Sequence, residues 1–248
     1  MLMSNRLAII AIDGPAASGK STIGHALAEK LNYFFFDTGI MYRAVTRAVL
    51  DQGLNPDDED AVTTLARGLE IDIRLPRAEE QDGRQATVLI NGQDQTWSIR
   101  APQIDQTISL IAAYPGVRAA LNPKQRAIGI RYGAGRGDKA GVIMVGRDIG
   151  TVVFPDAPLK IYLNASPEER AERRLAQQAE RAEPGDYGQI LRDMVRRDER
   201  DSGRIHAPMR PADDALIVDT SHMLPDEVLD YLMALAAGQP AAEIPQSG

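Results

Sequence analysis

Apolar residues occur along this chain in three different rhythms, and their order predicts the fold. Leu7 to Ile12 is apolar without alternation, the pattern of a strand buried on both faces of a parallel sheet. After a glycine-rich turn, Ser21 to Leu31 carries Ile23, Leu27 and Leu31 at helical spacing. Tyr33 to Phe36 makes a second short apolar strand. Ile40 to Asp51 makes a helix with Met41, Val45 and Val49 on one face and Gly53 as its stop. Asn55-Pro56-Asp57-Asp58 predicts the next helix start, with Asn55 as cap and Pro56 in the first position, and Gly68 ends that helix.

The rhythm then changes to alternation. Leu69 to Leu75 alternates apolar with charged residues, and Thr87 to Ile90 leads into Asn91-Gly92, a strong hairpin signal, before Gln95 to Ile99. These segments predict a small antiparallel sheet set into a βα chain, with residues 76–85 as a solvated loop. Helical spacing returns at Ile104, Ile108 and Ile111 and again from Val117 to Tyr132, where Asn122-Pro123 should kink or restart the helix. Gly133 to Gly141, with Arg136 and Asp138, is expected to be a mobile connection. Val142 to Val145 and Leu159 to Leu163 are buried strands, and Ala215 to Val218 is a fifth. Ser166-Pro167-Glu168-Glu169 has the form of a capping box, opening a helix to about Arg181. Gly185 interrupts, an arginine-rich helix runs to about Arg200, Pro225 to Ala237 closes the fold, and residues 239–248 form a frayed tail. The result is an α/β chain without internal repeats.

Composition narrows the chemistry. The 248 residues include 28 Lys+Arg against 35 Asp+Glu, a formal charge of −7, and no cysteine. Disulfides, thiolate metal sites and cysteine nucleophiles are excluded. A net negative chain is poorly suited to sequence-independent nucleic-acid binding, which draws its affinity from a basic surface. Of the cations 23 are Arg and five are Lys, so any anion bound here meets mainly guanidinium groups. No apolar run approaches the roughly 18 residues of a membrane span, and the start of the chain lacks the marks of a signal peptide. The expectation is a soluble, cytoplasmic protein.

Gly14-Pro15-Ala16-Ala17-Ser18-Gly19-Lys20-Ser21, followed by Thr22, fits G-x-x-x-x-G-K-[ST], with a buried strand before it and an amphipathic helix after it. Glycines let such a loop curl around phosphate, its N–H groups and the helix N-terminus supply positive potential, Lys20 reaches the terminal phosphates and Ser21 holds Mg²⁺. The loop is therefore read as an ATP site. The chain has no N-K-x-D base reader of a GTPase; instead Gly146-Arg147-Asp148-Ile149-Gly150 follows a core strand, at the rim where α/β sheets bind ligands. Arg147-Asp148 reads either as part of a second anion site or as a local surface ion pair. Arg192, Arg196 and Arg200, with Arg204 one step further, lie at steps of four on a helix, as in a salt-bridged solvated face.

Taken in order, Asp13 to Thr22, Asp37 to Arg43, Gly146 to Pro158 and Arg197 to Asp201, with Pro208 and Asp219 in step, resemble the bacterial cytidylate kinases over about residues 5–236. The resemblance implies a P-loop three-layer fold, a five-stranded parallel sheet flanked by helices. Its core would be residues 1–37 and 134–238, its monophosphate-binding region 38–133 with the β insertion at about 69–99, and its lid about 176–205. The implied reaction transfers the terminal phosphoryl group of ATP, with Mg²⁺, to CMP and dCMP. The implied acceptor site is Thr38, Arg43, Ser109, Arg118, Arg147, Asp148, Arg197, Asp201 and Arg204. Within it Ser109, Arg118 and Asp148 would read cytosine, Arg43 and Arg147 would clamp the monophosphate, and Arg197 and Asp201 would approach the sugar. Lys20, Arg147, Arg200 and Arg204 would meet transition-state charge, and Asp37 would be an outer-shell Mg²⁺ partner or a helix cap.

The chain departs from the family pattern with Thr38 in place of Ser, with Asn122-Pro123 inside a helix and with Ser202-Gly203 before Arg204. The resemblance also suggests a monomer that binds small nucleotides and neither nucleic acid nor membrane. Two other readings fit the loop alone: a kinase acting on AMP, UMP or a small-molecule hydroxyl, and a non-catalytic ATP-binding module.

Overall fold

The computed structural model describes residues 7–135, 138–180 and 182–238. Arg136, Arg181 and the expected tail at 239–248 lie outside the described residues. The first strand, β1 (Ile9–Asp13), is buried along its whole length, as its unbroken apolar run predicts. It lies at the centre of a five-stranded parallel sheet with β2 (Phe34–Asp37), β6 (Val142–Gly146), β7 (Leu159–Asn164) and β8 (Leu216–Asp219), in the order β2-β6-β1-β7-β8. Ile9 and Ala11 face one core while Ile10 and Ile12 face the other, so each residue of β1 is buried by one helical layer or its opposite. The strand expected as a fifth buried one lies at the sheet edge instead: β8 buries only Val218, and Leu216 and Ile217 are exposed. Helices α1 (Lys20–Leu31) and α8 (Pro225–Ala236) cover one face. The other core joins α2 (Gly39–Asp51), α3 (Glu59–Gly68), α4 (Pro102–Ile111) and α5 (Pro115–Gly133) with the insertion sheet of β3 (Ile71–Arg74), β4 (Thr87–Ile90) and β5 (Gln93–Asp94). Two further helices, α6 (Pro167–Glu180) and α7 (Tyr187–Ser202), pack on each other.

Several local expectations are corrected. The third helix starts at Glu59, not Asn55: the Asp58 carboxylate accepts from Ala61 N at 2.9 Å, while the Asn55 side chain caps a separate turn by accepting from Asp57 N at 3.2 Å. Asn91 and Gly92 both have positive φ, 49° and 77°, the two-residue turn the pair predicts, but β5 covers only Gln93–Asp94. The Thr96 hydroxyl accepts the Val88 N–H at 2.9 Å, a side chain replaces a ladder carbonyl, and Ser98–Arg100 coils into a 3-10 turn instead of continuing as a strand. Helix α5 runs unbroken through Pro123. Pro123 and Ala119, whose carbonyl loses its N–H partner, are both exposed, so that carbonyl is open to solvent rather than stranded in the core, and the buried face with Leu121 and Ile128 keeps the helix together. At the start of α6, Ser166 Oγ accepts from Glu169 N at 3.1 Å as a cap should, while the Glu169 carboxylate turns to Arg173 at 2.9 Å.

The turn after β1 is where backbone geometry is most constrained. Gly14 has φ 147°, and a Cβ placed there would sit 2.0 Å from the Leu163 carbonyl oxygen of β7. We therefore expect Gly14→Ala to lower the urea midpoint by the equivalent of about 2 kcal/mol or more at an unchanged slope. A midpoint equal to that of the parent would show that the loop relaxes freely.

Candidate active site

The C-terminal ends of β1, β2 and β6 open into a cleft of about 700 Å³. From β1 the P-loop enters it through Ala16, Ala17, Lys20 and Ser21. Helix α1 starts at Lys20 behind Gly19, with no side-chain cap and no acidic residue in its first turn. Its free N–H groups and dipole thus wait for an anion. Lys20 Nζ donates to Pro15 O at 2.5 Å and to Ser18 Oγ at 3.3 Å, and its pKa is lowered to about 7 by burial and then by Arg147. Gly14, Pro15, Ser18, Gly19 and Thr22 belong to the loop without being among the cleft-lining residues; Ser18 is fully buried and Thr22 is exposed.

Asp13, the last residue of β1, is buried and accepts the Ile149 and Gly150 N–H groups, each at 2.7 Å; burial nevertheless raises its pKa to about 6. These bonds tie the π-helical turn Ile149–Val153, which the sequence pattern did not show, to the root of the P-loop. They place Arg147 and Asp148 beside the phosphate loop.

All nine residues expected at the acceptor site line this same cleft. Arg118, buried on α5, meets Asp148 at 2.5 Å, donates to Ala112 O at 3.1 Å and lies over the Tyr42 ring at 5.4 Å. Ser109 lines the cleft from α4. Thr38 directs both its N–H and its hydroxyl to Val145 O, at 3.0 and 2.9 Å, so in this structure its hydroxyl joins β2 to β6. Asp201, 4% exposed, gathers three arginines: Arg147 at 2.7 Å, Arg197 at 3.9 Å, and Arg204. Arg204 is partly buried, and its buried Nε and Nη1 lack hydrogen-bond partners among the described residues, two donor atoms open to an incoming oxygen. Burial holds both Arg197 and Arg204 below the usual guanidinium range, with Arg147 repelling Arg197 and Arg118 repelling Arg204.

The arginine row of α7 is divided by this geometry. Arg192, Arg196 and Arg200 are exposed, and Arg200 is not among the cleft-lining residues. Arg197, Asp201 and Arg204, at steps of four and three, face the cleft instead. Three charged residues that line the cleft carry no signal in the sequence: Arg100, Asp105 and Arg174. Arg174, on the exposed-looking α6, carries no motif of its own; Asp105 stands one turn before Ser109 and receives Arg43 Nη2 at 2.5 Å.

For a divalent cation, the Ser21 hydroxyl donates to Asp37 Oδ2 at 3.1 Å, and Asp37 Oδ1 accepts Gly39 N at 2.9 Å. A hydroxyl beside a carboxylate is a hard oxygen pair of the kind Mg²⁺ takes together with phosphate and water. Thr38, not Asp37, is the cap residue of α2, but the Asp37 carboxylate still holds the first amide of that helix.

A parallel sheet with a phosphate loop after its first strand, faced across one cleft by a cluster of arginines, defines a P-loop phosphotransferase. The family model for cytidylate kinase matches residues 10–237. A cytidylate kinase of Roseiflexus castenholzii is 47% identical over 229 residues, covering 92% of this chain and 93% of its own. Relatives of the same name from Corynebacterium efficiens (45%, covering 92% of this chain and 93% of its own) and Chloroflexus aggregans (48%, covering 88% and 89%) agree. The chain belongs to the cytidylate kinase family and is an ATP-dependent kinase that phosphorylates CMP. Among the described residues no helix is long and apolar enough to cross a membrane.

Arg43, which the resemblance implies as a clamp for the monophosphate, is held by Asp105, and both side chains are partly exposed, at 29% and 44%. A pair of that exposure is weak, at most about 1 kcal/mol, so it is exchangeable. Asp105→Asn should lower the KM for CMP about two- to fivefold and leave the KM for ATP unchanged. A raised KM for CMP would instead make Asp105 a support that orients Arg43.

Proposed function

We propose that the cleft accepts dCMP as well as CMP and that its residues divide the work as follows. The triphosphate lies on the P-loop amides and the start of α1, with Lys20 at its terminal phosphates. Mg²⁺ is held through Ser21 with Asp37 in its outer shell, and when bound it neutralises charge on the triphosphate oxygens. Arg118, Asp148 and Ser109 read the base. Asp148 accepts from the exocyclic amine that cytosine has and uracil lacks, and it sits in a buried pair, where hydrogen-bond mismatches are costly. That buried Arg118–Asp148 pair, on the same cleft as the P-loop, is the observation that carries the reading.

Arg43 and Arg147 clamp the acceptor phosphate, whose oxygen is already anionic at pH 7 and needs no strong general base. That oxygen attacks the γ-phosphorus, the bond to the β–γ bridging oxygen breaks, and ADP leaves with CDP or dCDP formed. Catalysis is then positioning and charge neutralisation, by Lys20, Arg147 and Arg204 from within the cleft. Arg200, exposed in this arrangement, would join them only by a movement of α7. Asp201 and Arg197 approach the sugar. Loss of the 2′-hydroxyl leaves the base and phosphate contacts intact, which supports dCMP as a second acceptor. The protein works as a cytoplasmic monomer, contacting small nucleotides only.

An ADP-release assay with CMP, dCMP, UMP and AMP tests the reading. CMP and dCMP should give the fastest turnover, and Asp148→Ala should raise the KM for CMP at least about tenfold with the KM for ATP nearly unchanged. Equal loss for both substrates would remove Asp148 from base reading; faster turnover with AMP would make this a kinase of another acceptor.

A further inference from the structure

Three successive P-loop carbonyls are each held by a cation. Arg147 donates to Gly14 O at 3.2 Å, Lys20 to Pro15 O at 2.5 Å, and Arg170 to Ala16 O at 3.2 Å. The first two cations line the cleft, but Arg170 does not. Its side chain is 3% exposed near the start of α6, and each of its three guanidinium nitrogens has a partner: besides Nη1 on Ala16 O, Nε donates to Ala165 O at 3.0 Å, and Nη2 meets Asp198 Oδ2 of α7 at 2.6 Å. One side chain thus joins the end of β7, the P-loop and the lid helix.

A buried ion pair is a weak source of stability, because desolvation offsets most of the attraction. The second oxygen of Asp198, Oδ1, is buried without a hydrogen-bond partner among the described residues, so Arg170 is what this carboxylate serves. Peptide geometry shows what Arg170 serves in turn. A trans peptide is planar, with its C=O and N–H pointing in opposite directions. Fixing Ala16 C=O on Arg170, outside the cleft lining, turns the N–H of Ala17 to the other side, where Ala17, Lys20 and Ser21 line the cleft. Ala17 has φ 58°, a left-handed conformation that an alanine does not adopt without support.

We propose that Arg170, held by Asp198, is a positioning residue for the phosphate loop: the pair sets the Ala16–Ala17 peptide so that its N–H faces the triphosphate, and makes that setting depend on α7 being docked. The inference rests on reading residues 14–22 as the ATP site. Asp201, three residues after Asp198 on α7, grips Arg147 in the same way, and Arg147 reaches the Gly14 carbonyl. The lid helix therefore carries two carboxylates, each holding an arginine whose other end rests on the P-loop backbone. Full grip on ATP then comes with the lid in place, when water is also excluded from the transferring phosphoryl group.

Steady-state kinetics on Arg170→Met, Asp198→Asn and the double variant Arg170→Met/Asp198→Leu test this. The double variant leaves no buried charge unpaired, so it guards against simple misfolding. All three should raise the KM for ATP about tenfold while the KM for CMP stays within about twofold, and the double variant should be no worse than Arg170→Met alone. A folded double variant with the parent KM for ATP would overturn the inference. So would an equal rise in both KM values, which would make the pair a general support of α7. Lys20→Ala, run in parallel, separates the two levels: if it too leaves ATP turnover intact, the P-loop reading fails, whereas silence of the Arg170 variants alone removes only the positioning role.

Discussion

Cations crowded around one cleft repel each other whenever no phosphate is present, and the rest of this structure depends on how that repulsion is met. Two unit charges 4 Å apart interact by about 4 kcal/mol at the effective dielectric of a protein surface, so several in one cleft could unfold a marginal domain. Every cation described at the site's centre has a fixed oxygen instead. Asp201 holds Arg147, Arg197 and Arg204, Asp148 holds Arg118, and Asp105 holds Arg43. Lys20 has only a carbonyl and a hydroxyl, and it is the one whose proton affinity falls furthest, to about 7. The net charge of −7 is no obstacle to binding two polyanions, because the positive field is local to the cleft.

The fold supplies the oxygens from elements distant in sequence. Asp13 closes β1 and pins the turn after β6, so that one buried carboxylate sets the spacing between the P-loop and Arg147-Asp148. Helix α7 brings Asp198 and Asp201 over the loop from the other side. Substrate binding is then an exchange of partners. On the proposed reading the acceptor phosphate takes Arg43 from Asp105, while Asp198 and Asp201 keep Arg170 and Arg147 on the P-loop.

Much of this was legible in the sequence, and the limits were physical. The parallel strands were visible because burial on both faces demands unbroken apolar runs, and the P-loop because close approach of backbone to phosphate demands glycine at set positions. Asn91-Gly92 announced its turn, but the length of β5 was decided by the hydroxyl of Thr96, a single side-chain bond that no periodicity encodes. Pro123 suggested a break where the structure has none, since its cost depends on whether Ala119 O meets water. On α7 the four-residue spacing of Arg192, Arg196 and Arg200 was real but marked the solvent face. Its other side, Arg197, Asp201 and Arg204, which lines the cleft, was expected only through the family resemblance. Arg170, Arg174 and Asp105 were invisible because their roles come from tertiary neighbours and not from local pattern.

The claim that the cleft stores its cations in a partly discharged, partnered state is tested most directly at Lys20. A group with a pKa of about 7 is mostly neutral at pH 8, and a bound triphosphate should restore its proton. Binding is then linked to proton uptake, and affinity contributed by Lys20 falls as pH rises above about 7. Calorimetric titration of ATP into the protein at pH 8, in two buffers of different ionisation heat, measures that uptake. The account predicts a substantial fraction of a proton taken up by the parent protein relative to Lys20→Met. An identical proton count for the two proteins would show that ATP does not change the protonation of Lys20 and would contradict the account.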